Sequence, residues 1–540
     1  MIKILLIQPK TPETFWNTLS SSPLTKTKSN LAPLGLATVA ALTPPDFEVE
    51  IVDEDIEEIH FDASYDIVGI TGYTLHSQRM FEIASHYRKR GVLTVGGGPY
   101  CSSHPKEAEP HFDVLVCGEV EYVWKEFLED WRQGNHKKFY QGGDRIDLSI
   151  SPAPRWDLVK LEYYDGSVVQ TSRGCPYNCE FCDVVSLFGR GNRYKPIENI
   201  MKEIQALVDL NQNSLFIADD NFIGNKKFVK KLLREFIEFN SRLKRPIRYV
   251  TQVTLDVAKD LELLDLFKRA NFYMLFIGIE SPNEESLIAT NKKHNLQIEM
   301  KEAVRRIQSR GILVICGMVV GFDMDRPDVF RRQKDFLKEA GLCLPFLGML
   351  TALKGTKLWD RLKKEGRLLP HLDEGNSFST VNFIPKKMTR EQLKENYVGL
   401  LREVFSHSHF LETFENLIDQ IDIDEIRNAS PLAKQGDLLS LVFYFGGTVF
   451  RLIRYYLFNK NREERKFFWS VIRMAYRKSP LCLSLALYLL FFFKGEKEFV
   501  ERNFSYVIRP PQAEIPGKDP LFYVSPSSKV VAEISEDHSY

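Results

Sequence analysis

Along most of the chain, short runs of apolar and β-branched residues alternate with stretches of helical periodicity. In residues 1–135 the runs Ile2–Ile7, Glu48–Val52, Ile67–Thr71, Val92–Val95 and Val114–Cys117 each end in a turn signal. Leu34–Leu42, Ser77–Arg90 and Val120–Arg132 read as helices between them. This alternation predicts a parallel sheet with helices on both faces. Residues 136–162, polar and broken by Gly142-Gly143, Pro152 and Pro154, read as a linker. Six more strand–helix units follow over 163–369, with strands predicted at Val168–Thr171, Ser214–Ala218, Tyr249–Thr254, Met274–Ile279, Val314–Val320 and Leu347–Ala352. Six units suit a partial barrel. Residues 370–508 turn mostly helical, and 509–540, rich in Pro and Ser, read as a flexible tail. The expected fold class is α/β: a doubly wound, Rossmann-like N-terminal domain, a (β/α)6 partial barrel and a helical C-terminal domain.

Ligands of open parallel sheets and of barrels sit beyond the carboxyl ends of the strands. The N-terminal strands exit into Thr71-Gly72-Tyr73-Thr74, Gly96-Gly97-Gly98-Pro99 and Gly118-Glu119-Val120-Glu121. Glycines there let a large flat ligand approach the backbone, or serve only as turn residues. In the second unit the first strand exits into Gly174-Cys175-Pro176-Tyr177-Asn178-Cys179-Glu180-Phe181-Cys182, a C-x3-C-x2-C spacing. Thiolates are soft ligands suited to iron–sulfur clusters or zinc. Three rather than four leave a metal position open, as expected where the metal does chemistry. Asp219-Asp220-Asn221 follows the second strand and Glu280-Ser281 the fourth, at the same predicted face; such residues also cap helices and shape turns.

Composition narrows the function. The 540 residues carry 72 Lys and Arg against 72 Asp and Glu, a net charge of zero that gives no global attraction for nucleic acid. The five cysteines outside the cluster sit mostly in apolar runs, which points to buried thiols and a reducing cytosol. The N-terminus opens directly into a strand, without a signal-peptide cleavage pattern. Between Arg451 and Lys478, nine Lys or Arg face two Glu, and the uncharged run Leu481–Phe493 follows. That run is shorter than the ~20 residues a membrane span needs. It reads as a buried helix, or as a segment dipping into a membrane face while the basic stretch meets anionic headgroups.

Cys175, Cys179 and Cys182, with aromatic Phe181 before the last of them, resemble the signature of radical S-adenosylmethionine enzymes. The resemblance implies a [4Fe–4S] cluster that binds S-adenosylmethionine at its fourth iron and releases a 5′-deoxyadenosyl radical, with an electron donor such as flavodoxin or ferredoxin. It further implies Phe181 against the adenine, Asp219 and Asp220 at the methionyl amine, and Glu280 and Ser281 facing the cofactor. The first domain is similar to the cobalamin-binding domain of the B12-dependent branch. The matching residues are Pro33-Leu34-Gly35-Leu36, Gly96-Gly97-Gly98-Pro99 and Gly118-Glu119-Val120-Glu121, with Thr71-Gly72-Tyr73-Thr74 as a further cobalamin loop. The D-x-H-x-x-G motif that supplies an axial histidine in many B12 proteins is absent: after the first strand the chain reads Gln8-Pro9-Lys10-Thr11-Pro12. Over roughly residues 1–500 the arrangement resembles hopanoid C-2 methyltransferases and bacteriochlorophyll-ring methyltransferases. This implies a cytoplasmic, cobalamin-dependent radical C-methyltransferase with a hydrophobic or lipid-like substrate and peripheral membrane contact. Radical cyclisation or carbon–carbon coupling, and a cofactor-based sensor, are the other readings.

Overall fold

A computed structural model describes residues 2–15, 17, 24–25, 27–143, 145–372, 375, 380–424 and 438–504; the expected tail 509–540 lies outside them. The first half contains β1 (Ile2–Gln8), β2 (Ser29–Leu31), β3 (Phe47–Asp53), β4 (Ile67–Thr71), β5 (Leu93–Gly97), β6 (Val114–Cys117) and β7 (Phe139–Gln141). Six of these form a sheet in the order β3-β1-β4-β5-β6-β7, every pair parallel. The central strands are apolar on both faces, as a sheet covered on both sides requires: Ile4–Ile7 and Ile67–Ile70 are buried throughout. β7 falls in the expected linker. It is one buried side chain, Tyr140, between two exposed ones, too short for periodicity to reveal.

The second half contains β8 (Tyr164–Val169), the short hairpin β9 (Ser172–Arg173) and β10 (Arg193–Tyr194), then β11 (Ser214–Ile217), β12 (Arg248–Val253), β13 (Phe272–Glu280), β14 (Leu313–Val320) and β15 (Leu344–Met349). The sheet runs β15-β14-β13-β12-β11-β8-β2. Six parallel strands make the partial barrel, and β2 from the N-terminal half adds a seventh at its edge through Ser29 and Leu31 opposite Tyr164 and Gly166. The two α/β units are thus stitched through one sheet.

Register separates the two faces of the barrel. Leu215, Tyr249, Leu275 and Ile277 are fully buried beneath the helices; Tyr249 stacks on Phe236 of helix Lys226–Arg242 at 4.7 Å. Neighbours in register share a face, so Phe216, Val250 and Met274 form one inner row, and Gln252 and Phe276 the next. Gly278, Gly317 and Phe346 form a third.

Beyond the barrel, helices Arg390–Val404 and His407–Gln420 lead to Leu438–Leu457, Arg462–Lys478 and Cys482–Phe504. All but Leu481 of the uncharged run expected at Leu481–Phe493 belongs to the last of these, which packs against the other two; six of the thirteen residues are buried and none is exposed. That helix continues through Lys494 and Glu496 to Phe504 because its charges are accommodated. Lys494 pairs with Glu498 at 2.7 Å and lies over the Tyr455 ring at 4.5 Å. Among the described residues, no helix is long and apolar enough to cross a membrane.

Candidate active site

The cysteine loop leaves the barrel's first strand through a turn that only glycine permits. Gly174 has φ +88°, and a Cβ there would lie 2.3 Å from the Gly191 carbonyl. Later segments fix the loop from outside. Glu180 N–H donates to the Thr290 carbonyl, and Asn291 Nδ2 to the Asn178 carbonyl. Tyr177 stacks on His294 at 3.7 Å, and Arg361 grips the Glu180 carboxylate through Nε at 2.5 Å and Nη2 at 3.1 Å. Held this way, Cys175 and Cys182 are half-buried and Cys179 is 9% exposed.

Burial pushes all three thiols above their ordinary range, so free sulfurs would stay protonated; coordination to a metal is what deprotonates them. Backbone N–H groups of Tyr177 and Val184 point at the sulfurs of Cys175 and Cys182, and the Lys292 ammonium acts on all three. Among the described residues, no three His, Cys, Asp or Glu side chains converge as they would around a single ion. Three thiolates that each take a separate iron of a cluster need not converge so tightly. The soft, buried donor set suits an iron–sulfur cluster.

Lys292 was not legible in the sequence. Its Nζ donates to Glu280 Oε1 at 2.5 Å and lies 5.8 Å from the Phe181 ring centroid. Burial opposes its charge, but the Glu280 carboxylate beside it favours the ammonium, and its pKa is raised. Glu280 ends β13 in the left-handed region, φ +67°, at a register shift between Gly278 and Glu280. Strain of this kind in a non-glycine residue is characteristic of functional sites. Asp220 Oδ2 accepts the Gly174 N–H at 2.7 Å. Burial, together with the Asp219 and Asp183 charges, pushes its pKa up to about 7.

Three of the expected residues already have partners within the chain. Asp219 is saturated: Oδ1 accepts the N–H groups of Thr171 and Ser172, and Oδ2 their hydroxyls, at 2.5–3.0 Å. It braces the strand exit and has nothing left to offer a methionyl amine. Ser281 is fully buried, and its hydroxyl accepts the Asn283 N–H, shaping the turn into helix Glu284–Ala289. Glu119 is bound to Arg173 and Arg193, at 3.0 and 2.9 Å. It joins the two α/β units.

The remaining N-terminal loops gather at the β4–β5 exits. Not every glycine there makes room for a ligand. A Cβ on Gly72 would meet His76 and Met80, one on Gly96 the Phe112 ring, and one on Gly98 (φ +81°) Thr71 Oγ1 at 2.0 Å. Gly35 is the contrast, with nothing within 4 Å of its Cβ position, next to half-buried Pro33 and Leu34. Gly97 meets only the Val116 carbonyl at 3.4 Å, and Thr74 packs against Gly375. Tyr73 keeps 59% of its surface accessible, yet desolvation and the Asp183 and Asp220 charges raise its phenol pKa. The ring is thus exposed on the side of the N-terminal sheet from which the Asp183 and Asp220 charges act on it. His76 is buried with both ring nitrogens engaged, by the Tyr73 N–H at 3.0 Å and Thr11 Oγ1 at 3.2 Å. The uncovered backbone at Gly35 and the open face of Tyr73 leave room for a flat ligand; no histidine of this loop is available to it.

Three family models match the chain: the B12 binding domain over residues 22–128, the radical SAM superfamily over 169–331, and a domain of unknown function over 356–501. An uncharacterized methyltransferase of Synechocystis is 34% identical over 447 residues, covering 82% of this chain and 83% of its own. The hopanoid C-2 methylase of Rhodopseudomonas palustris is 33% identical over 390 residues, 71% and 73% of the two chains. The bacteriochlorophyllide d C-12(1)-methyltransferase of Chlorobaculum tepidum is 26% identical, over 76% and 89%. The fold matches that of the radical S-adenosylmethionine methyltransferase TsrM of Kitasatospora setae, solved with cobalamin and a [4Fe-4S] cluster. That match has a TM-score of 0.57 at 17% identity, covering 75% of this chain and 89% of that one. The cobalamin-dependent radical enzyme OxsB matches with the same TM-score at 16% identity, over 94% and 81%. The chain belongs to the B12-binding radical S-adenosylmethionine methyltransferases, in the subgroup of the hopanoid C-2 methylase and the bacteriochlorophyllide methyltransferases.

Proposed function

We propose that this enzyme methylates an unactivated carbon of a large hydrophobic substrate, lipid-like and of the hopanoid type. The observation that carries the substrate class is the barrel's inner face. Its outer face is sealed, but the inner aromatics Phe216, Phe276 and Phe346 remain only partly buried. Phe276 lies over Gly317 and meets Phe346 edge-on at 5.8 Å. The floor is Tyr488 of helix Cys482–Phe504, whose hydroxyl lies 3.6 Å from Met274 Sδ. From Met274 to Glu280 is six residues, ~20 Å of strand. An inner face lined by these aromatics suits a rigid apolar molecule better than an ionic one.

When bound, the cluster and S-adenosylmethionine supply the 5′-deoxyadenosyl radical, and cobalamin supplies the methyl group. The chain's own residues hold and orient. Cys175, Cys179 and Cys182 would carry the cluster, and Phe181, Asp220 and the Glu280–Lys292 pair would hold S-adenosylmethionine. Pro33, Leu34, Gly35, Thr71, Tyr73, Thr74 and Gly97 would form the cobalamin cradle, on loops shaped by Gly72, Gly96 and Gly98. Tyr73 would be the exposed side chain of this cradle, since both ring nitrogens of His76 are engaged. Reduced flavodoxin or ferredoxin delivers the electron, in the cytoplasm.

Lipid and pigment extracts of cells with and without the gene test the substrate class. The expected difference is loss of one apolar compound and gain of a species lighter by one methylene. A difference confined to polar metabolites would rule out the hydrophobic substrate, and a changed ring count without a methyl difference would favour cyclisation.

A further inference from the structure

Two adjoining helices of the C-terminal domain carry outward faces that the fold does not use. Helix Arg462–Lys478 buries Phe467, Phe468, Val471 and Ala475 and packs along Cys482–Phe504. Its opposite side presents Arg462, Lys466, Trp469, Arg473, Tyr476 and Arg477, which recur at the three- and four-residue spacing of a single helical face. Trp469 is 50% exposed and Tyr476 64%. Helix Leu438–Leu457 repeats the pattern with Phe450, Arg454 and Leu457, and Phe458 follows it directly; Phe450 is 67% exposed and Phe458 79%.

Among the described residues, Lys466 is the one cation of these faces drawn into an ion pair, with Glu463. The acidic residues of Arg462–Lys478 lie in its first turn and are held there, Glu463 by Lys466 and Glu464 by Lys497. Arg454, Arg473 and Arg477 make no ion pair or side-chain hydrogen bond among the described residues. Beside them a shallow groove of about 590 Å³ has Tyr455 and Phe458 in its lining and Arg451, Arg454 and Lys460 around it.

We propose that this surface seats the enzyme on an anionic phospholipid membrane. Aromatic rings that are apolar at one end and polar at the other belong at the headgroup level, and arginines interleaved with them meet lipid phosphates. Helices that present such a face without spanning length lie on a membrane rather than cross it. The pattern fits nucleic acid less well: the exposed aromatics are spread along two helices, not gathered on a platform where successive bases stack. The proposal rests on this surface alone and stands or falls separately from the substrate reading.

The test uses full-length, cluster-loaded enzyme with vesicles of phosphatidylcholine, alone or mixed with phosphatidylglycerol. Co-sedimentation is expected with the anionic vesicles in dilute buffer, weakening about tenfold or more in concentrated salt or without phosphatidylglycerol. Arg473→Glu with Arg477→Glu, and separately Trp469→Ser with Tyr476→Ser, should each lower binding about tenfold. Iron content and 5′-deoxyadenosine release in detergent-free solution should not change. Brominated lipid should quench a tryptophan signal that Trp469→Phe lacks. Equal binding to neutral and anionic vesicles, variants that bind like the parent, or tighter binding to DNA than to vesicles would overturn the proposal.

Discussion

Replacing Cys179 with Ala is expected to strip the purified protein of its iron and to stop release of 5′-deoxyadenosine, with the fold intact. Cys179 is the most buried of the three thiols, and its sulfur is coupled to Cys175, Lys292 and Glu280. Two thiolates cannot retain a cluster that already leaves one iron without a cysteine. Changing a partner that merely orients a metal ligand costs on the order of 10–100-fold, so losing a ligand should exceed the upper end of that range. The loop itself should persist, because Gly174, Asn178, Glu180 and Tyr177 are anchored by neighbours other than the metal. Circular dichroism should therefore be unchanged while iron analysis falls to background. Cys343→Ala is the control: that thiol is buried far along the chain, in the turn before β15, and its loss should leave iron content alone. Zinc in place of iron in the anaerobically prepared parent protein would contradict the assignment.

The second large effect concerns the joint between the α/β units. Arg173→Met should destabilise the protein by about 3–5 kcal/mol, the usual cost of removing one partner of a buried ion pair. Arg173 reaches Glu119 at 3.0 Å, Glu121 at 2.7 Å and Gln170 Oε1 at 2.8 Å, with side-chain exposures of 12%, 3% and 1% for Arg173, Glu119 and Glu121. Glu119 retains Arg193, but Glu121 is left with the Ser151 hydroxyl and already has an oxygen without a partner. The penalty should therefore fall on Glu121, and Glu121→Gln in the Arg173→Met background should recover part of it. Denaturant midpoints across this double-mutant cycle measure the coupling directly. A loss below about 1 kcal/mol for Arg173→Met would mean that the joint is wet and open.

The comparison of sequence with structure turns on distance along the chain. Strands such as Ile67–Thr71 and Val114–Cys117 were legible to the residue because an apolar run bounded by turn residues is a local signal. β2 was not, because Ser29-Asn30-Leu31 becomes a strand only when it meets Tyr164–Gly166, some 135 positions later. The site divides in the same way. The cysteine spacing is local and was read directly. The role of Asp219 depends on four donors from Thr171 and Ser172, and that of Glu119 on arginines 54 and 74 positions away. Lys292 lies in Thr290-Asn291-Lys292-Lys293-His294, which has the composition of a surface turn, yet it is buried against Glu280. Only the folded β13 bulge and the cysteine loop make it part of the site. That carboxylates stand at the strand exits is legible in the sequence, while what each one bonds to depends on tertiary partners.

The central claim is that these residues direct a radical at an apolar substrate so that it gains a methyl group. The most direct measurement incubates the reconstituted enzyme with methyl-deuterated S-adenosylmethionine, a low-potential reductant and the apolar extract of cells lacking the gene. The expected result is an apolar product carrying the labelled methyl group, formed together with 5′-deoxyadenosine and S-adenosylhomocysteine. Release of 5′-deoxyadenosine with no labelled methyl in any product would contradict it.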